Sequence, residues 1–117
     1  MKNESDKLFS LDELRQLGNG DEKFVQEMIG IFIRTTTEGM DEIEKAFKKN
    51  NYNAIAEYTH KLSPPCRHMG ADELYKVLRS IEDRIRKSDG LNKLDVLIAQ
   101  ARTETDRVIG QLKKEVK

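Results

Sequence analysis

Apolar residues recur at helical spacing along almost the whole chain. Phe24, Val25, Met28, Ile29, Phe32 and Ile33 stand one, three and four positions apart, and the rhythm resumes at Met40, Ile43, Ala46 and Phe47. That spacing gathers them on one wide helical face. A second pattern starts near Tyr52 and runs through Ile55, Tyr58, Thr59 and Leu62. A third uses Leu74, Val77, Leu78, Ile81 and Ile85. The last is the most regular: Leu91, Leu94, Ile98, Ala101, Thr105, Val108 and Leu112 alternate steps of three and four, the seam of a bundle helix. A short stripe at Leu11, Leu14 and Leu17 precedes them all. Strand alternation, internal repeats and low-complexity segments are absent from the sequence.

The residues between these patterns are helix starts and stops. Ser10 followed by Glu13 fits a capping box, with Phe9 placed to staple onto Leu14. Gly18-Asn19-Gly20 ends that first helix. Asn50 suits a left-handed cap, Asn51 an N-cap, and Ser88-Asp89-Gly90 a turn. Thr35-Thr36-Thr37 and Gly39 are weak helix formers, so a kink or short break is expected there. The pattern predicts an all-α chain, an antiparallel four-helix bundle with helices at roughly 21–49, 51–68, 72–87 and 91–115. A short extra N-terminal helix at 10–18 acts as a lid. Residues 1–117 form one domain, with 1–8 polar and flexible. Short loops let the chain fill its own core, so a monomer is expected.

Charge narrows the partners. Lys+Arg and Asp+Glu each number 21, so the formal net charge is zero although 36% of residues are charged. Nucleic acid and anionic membranes both select a basic surface, and neither is expected as the main partner. Cys66 is the sole cysteine, which excludes an internal disulfide and fits a reducing compartment. No run approaches the ~18 apolar residues of a membrane span, and Met1 to Lys7 lack the apolar core of a signal peptide. The expectation is a cytoplasmic domain that does not insert into a membrane.

Candidate chemistry centres on His60. A glycine-rich phosphate loop is missing, because Gly18-Asn19-Gly20 neither follows a strand nor continues into Lys-Ser/Thr. Glu57/His60 is one Glu-x-x-His pair where a di-iron bundle needs two. Cys66, His68 and His60 match no familiar four-ligand zinc spacing. The chain is therefore expected to bind no metal or cofactor of its own. With the stripe of the second pattern centred near Ile55, His60 falls about 140° away, on the solvent side, among Ala56, Glu57, Ser63 and Pro64. These neighbours are mostly short, which leaves the imidazole open. Glu57, one turn earlier, is placed to accept a bond from the ring and fix its tautomer. Pro64 and Pro65 remove the amides that would bond the His60 and Lys61 carbonyls, so a kink just after His60 is expected.

The stretch Thr59-His60-Lys61-Leu62, with Gly70-Ala71 ten residues after the histidine, resembles the histidine-containing phosphotransfer (HPt) domain of bacterial two-component phosphorelays. Asp21 to Phe24 at the entry of the first long helix fits the same resemblance, as do Leu74, Leu78, Ile81 and Glu82 after the glycine. The resemblance implies that His60 accepts a phosphoryl group from a receiver-domain aspartate and passes it to another receiver. It implies a carrier without an ATP site or autokinase activity, with Gly70 at a close helix crossing. The partners would be response-regulator receiver domains, with any magnesium held by the receiver, and a hybrid sensor kinase. The domain would stand alone or form the cytoplasmic part of such a membrane-bound kinase. Two positions depart from the family. Ser63 and Pro64 stand where the family usually has Lys and Gly, so the usual positive charge beside the phosphate is missing. Lys61 lies about 100° round the wheel, whereas Arg67, two turns along the His60 face, is the better substitute. The alternative function is a non-catalytic adaptor bundle that binds a receiver-like partner without phosphotransfer, Ser63 and Pro64 marking the loss.

Overall fold

Among the described residues, four of the five α-helices end in the same backbone device, and it sets the topology. The computed structural model describes residues 7–116. Its elements are α1 (Asp12–Leu17), α2 (Glu22–Lys48), α3 (Tyr52–His68), α4 (Asp72–Lys87), a 3-10 turn (Leu91–Lys93) and α5 (Leu94–Leu112). After α2, the Asn50 N–H donates to the Phe47 carbonyl (3.0 Å) and the Asn51 N–H to that of Ala46 (2.9 Å). Gly70 and Ala71 repeat the pair after α3, Ser88 and Asp89 after α4, Asn19 and Gly20 after α1. Each pair is a Schellman motif, which needs a left-handed residue. Asn19, Asn50, Ser88 and Gly70 supply it at φ 52°, 54°, 51° and 66°. The chain reverses within about three residues each time, so successive helices run antiparallel.

The four long helices close into a ring. α3 packs on α2 and α4, and α5 packs on the same two from the other side. α1 lies against α2. The enclosed core is built from fully buried Ile29, Met40 and Ile43 of α2, Ile55 of α3, Leu74, Leu78 and Ile81 of α4, and Leu94 and Leu112 of α5. Arg102 of α5 clamps α2 at the surface, its guanidinium donating to both carboxylate oxygens of Glu44 (3.1 and 2.7 Å) and to Asp41 (2.6 Å).

Several expectations from the sequence are corrected. α2 is unbroken through the threonines. Thr36 is buried and continues the core stripe, while the Thr35 and Thr37 hydroxyls donate back to the Ile31 and Ile33 carbonyls (2.8 and 2.6 Å). Gly39 lies against Leu62, whose methyls would stand 2.8 Å from an added Cβ. Packing against α3 therefore overrides weak propensity. α5 starts at Leu94, its first turn tightened to 3-10. The capping box does not form: the Ser10 hydroxyl accepts from Asp12 N–H (3.3 Å), and Glu13 turns to His68 instead. Residues 1–6 of the segment expected to be flexible lie outside the described residues. Leu8 is tied down, its N–H donating to Gln111 Oε1 (2.8 Å), and Phe9 is buried.

Gly70 is where the fold closes. Its expected role at a helix crossing is corrected, because what crosses it is the N-terminal segment. The Ser10 N–H donates to the Met69 carbonyl (2.8 Å), and a Cβ on Gly70 would stand 2.8 Å from the Ser10 nitrogen. Both the left-handed φ and the backbone contact demand glycine. Gly70→Ala is expected to cost about 2–3 kcal/mol of folding free energy, measured by urea unfolding. Asn50→Gly, at a left-handed cap that glycine adopts without strain, should change stability by less than about 1 kcal/mol.

Candidate functional site

α3 continues as helix through Pro64 and Pro65 to His68, which keeps His60 in mid-helix. Its side chain is 65% exposed. The buried arc of α3 comprises Ile55, Ala56, Thr59, Leu62, Ser63 and Cys66. Its centre is rotated about 40° from Ile55 toward Ala56 and Ser63. Ala56 and Ser63 are therefore not exposed neighbours of the ring, as their wheel positions suggested. Both are buried, at 3% exposure each, and the Ser63 hydroxyl donates back to the Thr59 carbonyl (2.7 Å). His60 stands at the edge of the buried arc.

At that edge the ring meets α4. Nδ1 of His60 lies 3.1 Å from Oε2 of Glu82. The Glu82 side chain is only 6% exposed, and an isolated buried carboxylate would be costly. Two guanidinium groups of the same helix compensate. Arg86 Nε donates to Oε2 at 2.7 Å, and Arg79 Nη1 donates to Oε1 at 3.0 Å. Burial pushes the Glu82 carboxyl up. The Arg86 hydrogen bond and the charges of His60, Arg86 and Arg79 outweigh it and hold the group below its ordinary value of 4.5. An ionised carboxylate only accepts hydrogen bonds, so in the neutral form of the ring Nδ1 carries the proton and Nε2 presents the lone pair.

The carboxylate that meets the ring is thus Glu82 and not Glu57, which is exposed and makes no side-chain hydrogen bond among the described residues. A sequence signal for Glu82 does exist. It stands four residues after Leu78 and eight after Leu74, a charged residue on the apolar face of α4. Of the other residues singled out, Ser63, Pro64 and Arg67 line one hollow with His60, together with Tyr75 and Arg79 of α4. Glu13 and His68 close its far end, paired through His68 Nδ1 and Glu13 Oε1 at 2.9 Å. Lys61 is turned away. Its ammonium sits 5.6 Å from the Tyr58 ring centroid, on the rim of a separate apolar groove. Cys66 is fully buried, its thiol pushed up to about 12 by burial, so it does not join His60 and His68 around one point.

The apolar groove occupies the opposite flank of α3. It measures about 810 Å³ and is floored by Met28, Phe32, Leu62 and Met69, with Leu17 and Ile31 exposed at its mouth.

Comparison with known proteins places this geometry in a family. The family model described as the Hpt domain matches residues 27–115. The chain belongs to that family, and its role is phosphotransfer in phosphorelays as a phosphocarrier module that works with receiver domains. Among solved structures, histidine-containing phosphotransfer protein B (HptB) from Pseudomonas aeruginosa PAO1 has a similar fold. Its TM-score is 0.84 at 20% identity, over 94% of this chain and 95% of that one. No curated protein matches the sequence. No helix among the described residues is long and apolar enough to cross a membrane.

The Glu82 cluster carries a pH signature. Its folded value lies below the unfolded one, so the ionised carboxylate stabilises the fold fully above the unfolded value and the contribution is lost as pH falls through the folded value. Between roughly pH 5 and pH 3 the unfolding free energy of the wild type should fall more steeply than that of Glu82→Gln. Urea titrations across that range check it, and parallel slopes would sink the idea.

Proposed function

We propose that His60 is the phosphoacceptor, taking a phosphoryl group from the aspartyl phosphate of one receiver domain and delivering it to an aspartate of another. The observation that carries this reading is the His60–Glu82 pair. A buried, doubly clamped carboxylate holds the Nδ1 proton and turns Nε2 toward solvent as the nucleophile.

In the forward step the Nε2 lone pair attacks phosphorus. The phosphorus–oxygen bond to the aspartate breaks, and its electron pair leaves on the receiver's carboxylate. Nδ1 keeps its proton, so the phosphorylated ring is a cation, and the Glu82 carboxylate 3.1 Å away offsets its charge. Return transfer runs the same bonds backwards. Magnesium belongs to the receiver in this scheme. The apolar groove on the other flank of α3 supports receiver docking, since its mouth residues Leu17 and Ile31 are 65% and 42% exposed. The prolines after His60 add no long side chain between the ring and an approaching partner.

Incubation with a labelled, phosphorylated receiver and magnesium should put acid-labile, base-stable label on the wild type and none on His60→Gln. Glu82→Gln should retain labelling but slow it at least tenfold, because a charge-assisted hydrogen bond contributes about 1.5–3 kcal/mol. A wild type that binds several receivers and stays unlabelled would favour the adaptor reading. Leu17→Glu with Ile31→Glu should raise the receiver concentration needed for half-maximal transfer about tenfold or more while leaving the maximal rate largely intact. A transfer-rate titration against receiver concentration separates the two.

A further inference from the structure

A phosphoryl group on Nε2 of His60 brings two negative charges to the surface of α3, and the α3 residues within one turn of the ring offer no cation on that face to meet them. One turn on, the Ser63 hydroxyl is turned inward to the Thr59 carbonyl at 2.7 Å, and Pro64 has no N–H. Lys61 is on the other flank, over Tyr58. The cations that share a hollow with His60 are Arg67 and Arg79. That hollow, about 300 Å³, has room for a tetrahedral group with several waters. Arg79 spends one of its five N–H groups on Glu82 and is half exposed. Arg67 has no carboxylate within ion-pair distance among the described residues. Glu13, the carboxylate that lines the hollow, is already engaged with His68, and Glu82 is engaged with His60 and Arg79.

We propose that Arg79, with Arg67 from the far end of α3, forms the phosphoryl-binding clamp of this domain, a residue pair on two helices in place of a cation one turn after the histidine. The proposal rests on His60 being the phosphoacceptor. Arg79 has two acceptors to serve. In the unmodified chain its Nη1 donates to Glu82 Oε1, and in the phosphorylated chain it turns to the phosphoryl oxygens. The cationic ring then balances the Glu82 charge that Arg79 gave up. Arg86, bonded to Glu82 Oε2 at 2.7 Å, stays in place throughout.

The test uses the full chain and a small donor, phosphoramidate, so that receiver docking plays no part. Wild type, Arg79→Ala, Arg79→Lys, Arg67→Ala and a remote control, Arg107→Ala, are labelled, and two properties of the phosphorylated form are followed. One is its lifetime. The other is the pH at which its phosphorus-31 resonance titrates, which a purely structural role would not move. Arg79→Ala should shorten the lifetime about tenfold and raise the titration pH, since a cation beside the phosphoryl group favours the dianion. Arg67→Ala should do the same to a smaller extent. Arg79→Lys should recover part of both effects, and Arg107→Ala should match the wild type. A labelled wild type whose lifetime and titration are unchanged in both alanine variants overturns the clamp and leaves His60 as acceptor. A wild type that takes no label at His60 overturns both.

Discussion

Burying one carboxylate organises this molecule. Glu82 occupies a position on α4 that the packing would otherwise give to an apolar side chain, and the cost of an unpaired charge there forces cations around it. Two come from its own helix at i−3 and i+4, spacings that α-helical geometry supplies without further design. The third partner has to come from across the interface, and it is the imidazole of His60. The same bond that satisfies the acid fixes which ring nitrogen is protonated. Chemistry at the surface is thereby prepared by electrostatics within the bundle, and α3 must stay in register with α4 for the site to exist.

That register depends on short turns and small residues. Ala56 and Ser63 are small and buried, and Ser63 shares a hollow with Tyr75 and Arg79 of α4. The left-handed turn at Gly70, pinned by Ser10, joins the same two helices and sets their offset. The functional pair and the structural turn belong to one αα unit, while α2 and α5 complete its core from behind. A bundle built this way can expose the His60 ring without loosening, because the carboxylate that holds the ring is buried.

Much of this was legible in the sequence. The span of α4, the Asn51 cap and the left-handed turn at Asn50 follow from local rules, since helix ends are decided by a few neighbouring residues. His60 was legible for the same reason, as an exposed ring amid a helical pattern. What was not legible depends on contacts between helices. Centring the α3 stripe on its large residues put Ala56 and Ser63 in solvent, because size is a poor guide to burial where two helices pack closely. Glu57 was the near carboxylate along the chain, yet the carboxylate that meets the ring is 22 residues away. The threonines of α2 were read as a break because propensity is local, and Thr36 continues the buried stripe.

The proline pair has an electrical side as well as a steric one. Pro64 and Pro65 leave the carbonyls of His60 and Lys61 without the amide donors that a regular helix places four residues on. Unmet carbonyls are what give a helix its negative pole, and they are normally found in its last turn. Here two carbonyls lose their usual helical donors in mid-helix, one of them belonging to His60. In electrostatic terms α3 behaves as two shorter dipoles in series, with the negative pole of the first lying under the imidazole. A ring that gains positive charge at that point sits in a potential already shaped to receive it.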